Sequence, residues 1–197
     1  MTVAYHEPLI EITRAAGAAI LEVYETSFAV QRKSDSSPLT EADLRAHRVI
    51  VDGLEALDAS IPIISEESDP PPYAERCSWS RYWLVDPLDG TKEFVNRNGE
   101  FTVNIALIED GESVLGVVGV PVQGRIYLGD VREASAFCLT DAVREPLATR
   151  ALGDGGITIV ASRSHGGKRL ETYLDAIEAR FGAVTRKAMG SSLKLCV

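Results

Sequence analysis

The stretch from Tyr82 to Thr91 constrains this chain more than any other part of it. It opens with an apolar run, Tyr82 to Val85, which predicts a buried strand. Two carboxylates, Asp86 and Asp89, follow around a proline, and a Gly-Thr pair then predicts the start of a helical turn. Carboxylates are hard oxygen ligands, and the first N–H groups of a helix lack intrahelical partners. Such a stretch can therefore hold a divalent cation beside a phosphate.

This arrangement leads to the hypothesis of a magnesium-dependent phosphatase. Two Mg²⁺ ions could share Asp86, with Glu66 on one ion and Asp89 on the other. The backbone carbonyl of Leu88 is a natural further ligand, and the N–H groups of the Gly-Thr pair would hold the phosphate. Two such ions can lower the pKa of a bound water and stabilise the leaving oxygen of an in-line displacement.

Each of these signals also has a plainer explanation when it is taken alone. Glu66 and Glu67 are typical of a solvated acidic pair, and Asp43 is typical of the first turn of a helix. The Asp-Pro-Leu-Asp-Gly stretch is typical of a turn, and His165 of a loop. Their joint position at the ends of predicted elements favours a metal site, but it does not name a substrate.

Length and charge exclude several other classes of protein. The 197 residues suffice for one sizeable domain or two small lobes, and the formal net charge of −9 argues against general nucleic-acid binding. A small anionic substrate remains compatible, because bound metal ions invert the local field. We find no apolar run near the roughly 18 residues of a membrane span and no signal peptide. Three widely spaced cysteines suggest a reducing cytoplasm.

Apolar periodicity predicts an N-terminal α+β region. Helices are expected over residues 6–28 and 41–58, the second with Thr40 as its N-cap, and residues 33–38 form a loop between them. Asp110-Gly111 is a hairpin signal. The predicted strands form an antiparallel meander against the two helices, and they cover Ile61–Ile64, Tyr82–Val85, Phe101–Leu107, Val114–Val120, Arg125–Leu128 and Ala134–Leu139.

A second lobe is predicted after residue 140. A polar connection over residues 140–155 leads to a strand, a helix and another strand, which cover Ile157–Ala161, Leu170–Phe181 and Val184–Met189. Gly190 then marks a further helix start. We therefore divide the chain into an N-terminal metal-binding lobe, residues 1–140, and the start of a C-terminal α/β lobe, residues 141–197. The final apolar residues normally lead onward, so we expect this second lobe to be incomplete.

The motifs resemble those of a known family. Glu66-Glu67, followed by Asp86-Pro-Leu-Asp-Gly-Thr91, is similar to the signature of the lithium-sensitive, Mg²⁺-dependent inositol monophosphatase superfamily. Trp83 through Leu107 more narrowly resembles its 3′(2′),5′-bisphosphate nucleotidase branch, also called PAP phosphatases. Three further segments match the same branch: Ser37 to Asp43, Ser162 to His165, and Gly190 to Lys194. The resemblance covers essentially the whole chain.

The resemblance implies roles for the matching positions. The metal ligands would be Glu66, Asp86, Asp89 and the carbonyl of Leu88. Thr91 and Asp43 would orient and deprotonate the attacking water, with help from Glu66. The transferred phosphate would lie on Gly90 and Thr91, and the nucleotide would be held by His165, Ser191 and Lys194. Lys194 would meet the phosphate that is retained, since a lysine neutralises a phosphate as a point charge.

The resemblance also implies a fold, a reaction and a set of partners. The fold would be α/β (α+β), a layered αβαβα sandwich. The reaction would be hydrolysis of the 3′-phosphate of 3′-phosphoadenosine 5′-phosphate (PAP) to AMP and phosphate with two or three Mg²⁺ ions, and PAPS is a possible second substrate. We expect a role in sulfate assimilation in the cytoplasm. The expected partner is a small-molecule nucleotide, with no nucleic acid and no membrane span, and the protein would be a monomer or homodimer.

Two alternatives stay open, and one of them arises from a departure from the family pattern. The family has a further metal-binding aspartate in a Trp-Asp-x-Ala-Ala-Gly segment, which lies beyond Val197. A shortened, catalytically silent protein that binds metal or nucleotide is therefore one alternative. The other is an inositol monophosphatase or a broad sugar-phosphate phosphatase. Lys92-Glu93-Phe94 and the Ser191 to Lys194 segment weigh against that second alternative.

Overall fold

Two long helices near the N-terminus cover one face of a large sheet. The computed structural model describes residues 2–25, 30–32, 38–141, 143–149, 151, 156–162 and 167–197. A 3₁₀ turn (Thr2–Tyr5) leads into α1 (His6–Tyr24), and α2 (Glu41–Asp58) follows a small antiparallel pair, β1 (Val30–Arg32) and β2 (Pro38–Thr40). The two predicted helices are confirmed as far as Tyr24 and Asp58; residues 26–29 and the side chain of Thr40 lie outside the description.

Seven strands of the described chain form one sheet in the order β3 to β9. The strands are β3 (Ile63–Ser65), β4 (Arg81–Asp89), β5 (Thr102–Glu109), β6 (Glu112–Val120), β7 (Arg125–Asp130), β8 (Ser135–Leu139) and β9 (Arg144–Pro146). β3 pairs with β4 in parallel, and each later neighbour pairs antiparallel. Two short helices, α3 (Tyr73–Arg76) and α4 (Thr91–Val95), flank β4. The predicted antiparallel meander is confirmed from β4 to β8, whereas the predicted strand Ile61–Ile64 becomes β3 and pairs in parallel.

The structure corrects the predicted course of β4. The strand was expected to end at Val85, but it continues through both acids to Asp89, with a bulge in its pairing to β5 between Asp86 and Asp89. The Asp110-Gly111 hairpin prediction is confirmed, and both residues have the positive φ angles, 51° and 83°, that such a tight turn requires. β9 lies inside the stretch predicted as a connection, and α3 was not predicted.

The main core lies between α1, α2 and the sheet. Trp83, Ile105 and Leu107 are among its fully buried members. The helices contribute the apolar stripes that their periodicity predicted, namely Leu9, Ile10, Ala16, Ile20 and Val23 from α1, and Ala42, Ala46, Ile50 and Leu54 from α2. Burial of these apolar side chains is the dominant stabilising contribution in a domain of this length. The main core also holds β3, β4 and β5 in fixed register with one another.

The C-terminal part adds a second, two-stranded parallel sheet. β10 (Ile157–Ala161) and β11 (Val184–Ala188) are joined by α5 (Lys168–Phe181), and a final 3₁₀ turn covers Ser192–Leu195. A small apolar cluster of Val120, Tyr127, Met189 and Leu193 packs this part against the large sheet. The division at residue 140 stays a prediction. None of the helices in the described ranges is long and apolar enough to cross a membrane.

Candidate active site

The parallel pairing of β3 and β4 places two acids at the same edge of the sheet. Ser65 pairs with Val85, so the next residues, Glu66 and Asp86, leave their strands side by side. The amide N of Glu66 donates to the carbonyl of Val85 at 3.1 Å, which extends the pairing by one bond. Glu66 is exposed and Asp86 is half-buried. The local pairing alone therefore brings together two of the predicted metal ligands.

The bulge in β4 determines where Asp89 lies. Leu88 is 2% exposed and belongs to the main core, so its side chain anchors the bulged segment while Asp89 stays half-buried. Gly90 follows with φ 95° and ψ 45°, and Thr91, which is half-buried, begins α4. Because this left-handed conformation suits glycine, the chain can turn abruptly from strand to helix at this position.

An aromatic cluster supports the turn from behind. Phe94 of α4 and Phe101 are both fully buried, and their ring centroids are 5.2 Å apart in an edge-on arrangement. The ring centroid of Tyr24, at the end of α1, lies 5.1 Å from the centroid of each of these two rings. Aromatic pairs of this geometry add stability beyond their buried area. The cluster fixes α4, and with it Thr91, on the main core.

The segment from Gly190 to Lys194 forms the opposite side of the site. The amide N of Gly190 donates to Glu100 Oε2 at 2.7 Å, and the amide N of Ser192 donates to Asp89 Oδ2. Lys194 Nζ donates to the carbonyl of Ser191. The predicted substrate-binding residues Ser191 and Lys194 thus lie directly beside the predicted metal ligand Asp89, although about a hundred positions separate them in sequence.

Three further polar residues, Thr102, Asn104 and Ser192, lie in the site although no motif predicted them there. In β5, Thr102 pairs with Asp89 and Asn104 pairs with Asp86, so the two polar side chains stand beside the two acids. Thr102 Oγ1 lies 2.8 Å from Ser192 Oγ. The alternation of β5 is the signal that could have identified Thr102 and Asn104, because polar residues at positions i and i+2 share one face of a strand.

A cavity of about 810 Å³ opens between these elements. Glu66, Asp86, Asp89, Asn104 and Ser192 line its polar end. Burial raises the pKa of the Asp89 carboxyl, and the nearby carboxylates Glu93 and Glu66 act in the same direction. The Ser192 amide and the Lys194 ammonium oppose this shift. Concentrated negative charge of this kind is relieved by a bound cation.

The chemistry of this donor set fits a hard divalent cation. Three carboxylates line one cavity, and oxygen ligands are what Mg²⁺ and Ca²⁺ prefer. In the part of the chain that the structure describes, no three His, Cys, Asp or Glu side chains are already close enough to hold an ion. Magnesium sites often combine one or two carboxylates with water and substrate phosphate, so a preformed cage is not required.

Three more of the predicted site residues remain to be located: Asp43, Ser191 and His165. Asp43 is 2% exposed in the first turn of α2, a helix that packs against β4. Ser191 lies next to Gly90, since a Cβ built on that glycine would be 3.0 Å from Ser191 Cβ. His165 lies outside the described residues, so its predicted role stays a prediction.

Comparison with known proteins gives the family. A model of the inositol monophosphatase family matches residues 4–197. The chain belongs to this family. It is also 45% identical over 193 residues to the 3′(2′),5′-bisphosphate nucleotidase CysQ of Escherichia coli (strain K12), with coverage of 97% of this chain and 75% of that protein. The CysQ nucleotidase of Buchnera aphidicola is 38% identical, with coverage of 97% and 70%.

A solved inositol monophosphatase-family structure supports the same branch. CysQ from Bacteroides thetaiotaomicron superposes with a TM-score of 0.82 at 36% sequence identity, and the match covers 96% of this chain and 74% of that one. The prediction of the bisphosphate nucleotidase branch of the inositol monophosphatase family is confirmed, and so is the predicted fold class. The chain spans about three quarters of the length of these relatives.

Proposed function

We propose that this protein is a metal-dependent phosphatase that hydrolyses the 3′-phosphate of 3′-phosphoadenosine 5′-phosphate to give AMP and inorganic phosphate. One observation carries the proposal. The acids Glu66, Asp86 and Asp89 line a single cavity together with Ser192, which belongs to the same turn as Lys194. The nucleotide is suggested by the relatives, which are named 3′(2′),5′-bisphosphate nucleotidases.

The acids would hold magnesium, with two or three ions in the loaded enzyme. Glu66, Asp86, Asp89 and the backbone carbonyl of Leu88 are the proposed ligands, all hard oxygen donors. When bound, the ions supply a more acidic water and neutralise charge that develops on the phosphoryl oxygens. The exposed position of Glu66 leaves its carboxylate accessible from the cavity.

Thr91 and Asp43 are the proposed pair that handles the attacking water. A threonine hydroxyl can accept a hydrogen bond from water while it donates to a carboxylate, so it both orients the water and passes the proton onward. Asp43 is buried at the start of α2 and can serve as the acceptor. Gly90 has no side chain, so the backbone N–H groups at the start of α4 can approach the transferred phosphate.

The Gly190–Lys194 segment would hold the rest of the substrate. Ser191 and Lys194 lie beside Asp89, and the half-buried ammonium of Lys194 can neutralise the phosphate that is retained. His165 is proposed to contact the nucleotide as well. A pocket with these groups would also admit PAPS, in which sulfate extends the 5′-phosphate. A role in cytoplasmic sulfate assimilation, as a monomer or homodimer, follows as part of the same proposal.

Phosphate release from three substrates tests the proposal. The purified protein is incubated with PAP, PAPS or inositol 1-phosphate while the Mg²⁺ concentration is varied, and inorganic phosphate is measured. We expect magnesium-dependent release from PAP at a higher kcat/KM than from inositol 1-phosphate. Faster turnover of inositol 1-phosphate would instead assign an inositol monophosphatase. Binding of PAP without any turnover would indicate a silent nucleotide-binding protein.

A further inference from the structure

A closed ring of hydrogen bonds joins β5 to the Ser191–Ser192 turn. The Ser192 hydroxyl donates to Asn104 Oδ1 at 2.7 Å, and Asn104 Nδ2 donates to Thr102 Oγ1 at 3.3 Å. The Thr102 hydroxyl completes the ring by donating to Ser192 Oγ at 2.8 Å. This assignment gives every hydroxyl one donor and one acceptor role, and hydrogen bonds in such a chain strengthen one another.

The ring also supports Ser191 in an unusual conformation. The Ser191 Oγ lies 3.2 Å from Thr102 Oγ1 and accepts from the amide of Leu193 at 3.2 Å. The backbone φ of Ser191 is 48°, in the left-handed region that non-glycine residues seldom occupy. Such a conformation persists only where its surroundings stabilise it. Thr102 is fully buried, so its hydroxyl provides that support without competition from water.

The same turn reaches the proposed metal ligand. The amide of Ser192 donates to Asp89 Oδ2, and Asp89 is the residue opposite Thr102 across the β4–β5 pair. One side of the ring therefore holds the turn that carries Ser191 and Lys194, and the other side sets the position of Asp89. A disturbance of the ring must move both groups together.

We propose that Thr102 and Asn104 are positioning residues, which hold the substrate-binding turn and Asp89 in mutual register. This inference rests on the proposed function. Neither residue is among the proposed metal ligands or the pair that handles the attacking water. Its distinguishing consequence is that loss of the ring weakens metal binding and nucleotide binding by similar factors, since a single turn positions both sites. Groups that orient metal ligands from behind typically affect metal affinity or activity by about 10-fold to 100-fold.

Thr102→Val is the main test, because valine has nearly the same shape and lacks the hydroxyl. We expect about a 10-fold rise in the Kd for Mn²⁺, measured by electron paramagnetic resonance without substrate, and a similar rise in KM for PAP. Thr102→Ser should restore both values to within about threefold, since it returns the hydroxyl. Asn104→Ala removes two bonds of the ring and should act in the same direction as Thr102→Val.

A matched control is available in Thr13 of α1. This threonine is 2% exposed, and its hydroxyl has no hydrogen-bond partner in the described structure. Thr13→Val makes the same chemical change away from the site, and it should leave both the Mn²⁺ affinity and KM unchanged. A purely structural role for Thr102 would lower Tm but spare these two constants well below Tm.

Amide hydrogen exchange separates this inference from the proposed function. In Thr102→Val, peptides that contain residues 189–195 should exchange faster than in the wild type, and in Thr13→Val they should not. Faster exchange in a protein that hydrolyses no nucleotide would overturn the proposed function but keep the ring as the support of the turn. Wild-type exchange, Mn²⁺ affinity and KM in Thr102→Val would overturn the inference in an otherwise active enzyme.

Discussion

Replacement of Gly90 by alanine should damage this protein in two separable ways. Gly90 has φ 95°, and a non-glycine residue in the left-handed region costs about 1 to 2 kcal/mol. An added Cβ would also lie 3.0 Å from Ser191 Cβ and 3.2 Å from the carbonyl oxygen of Glu100. Crowding of this kind adds about 1 kcal/mol. The total, about 2 to 3 kcal/mol, corresponds to a Tm decrease of about 4 to 12 °C for a chain of this size.

The second effect of Gly90→Ala is on catalysis. The new methyl group pushes Ser191 away, and the displacement passes to Ser192 and its hydrogen bond with Asp89. A small misplacement of catalytic groups is costly, so we expect kcat/KM for the nucleotide to fall on the order of 10-fold or more. The assay is phosphate release at saturating Mg²⁺, performed at least 15 °C below the Tm of the variant so that unfolding makes no contribution.

Gly111→Ala is the matched control for this experiment. Gly111 also has a positive φ, 83°, but a Cβ built on it meets no atom within 4 Å, and it lies in the hairpin between β5 and β6. Its alanine variant should lose about 1 to 2 kcal/mol of stability and keep wild-type kcat/KM. The reasoning would be refuted if both variants lost the same stability and Gly90→Ala kept wild-type activity.

Three further predictions follow from the site and its support. Asp89→Asn should lower kcat by on the order of 100-fold or more with little change in Tm, because it removes one ligand charge and no core volume; near-normal rates at saturating Mg²⁺ would contradict the assignment of Asp89 as a ligand. In Gly190→Ala the new Cβ would clash with Glu93 Cγ, so Glu93 must move, and KM for PAP should rise about 10-fold. Gly129→Ala, whose Cβ meets nothing within 4 Å, should have wild-type kinetics. Asp130 makes the remaining prediction: burial raises its pKa, but hydrogen bonds with His6 and from the amides of Glu133 and Arg132 outweigh this and hold the pKa below its usual value. A carboxyl whose pKa is lowered by folding stabilises the protein above its unfolded-state pKa of about 3.9, and this stability disappears as the pH falls through the lowered value. Urea unfolding between pH 3 and 7 should therefore give a smaller pH dependence for Asp130→Asn than for the wild type, and an unchanged acid slope would show that Asp130 has no part in it.

Local patterns in the sequence predicted most of the elements that build the site. The alternation in β5 and the Asp110-Gly111 turn signal predicted the β5–β6 hairpin. The apolar stripes at helical spacing predicted α1 and α2. β9 was not predicted because it is a three-residue polar edge strand, and it has no apolar face from which a strand could be inferred. The extension of β4 was missed because Pro87 interrupts the strand pattern, and a proline is tolerated there only because the pairing bulges.

The contacts across the site depended on information that no local pattern contains. Ser192 meets Asp89 only after the chain has completed the large sheet and a second β–α–β unit, 103 residues later. The complete burial of Thr102 also could not be predicted, because strand alternation shows only that Thr102 shares a face with Asn104 and not what covers that face. Tertiary packing of the Gly190–Lys194 segment covers it. The family resemblance predicted Ser191 and Lys194 as substrate-binding residues, but the residues that hold them in place could be found only from the structure.

The parallel pairing of β3 and β4 makes the site tolerant of changes in chain length between its acids. Glu66 and Asp86 are neighbours because Ser65 pairs with Val85, and residues 68–80 between the two strands form a largely exposed connection. Lengthening such a loop is inexpensive, about 0.6 kcal/mol for each doubling. A single-residue insertion within β3 would instead turn its side chains to the opposite face. The distance between these acids along the chain is therefore free to vary among proteins of this architecture, whereas the alignment of the two strands is not.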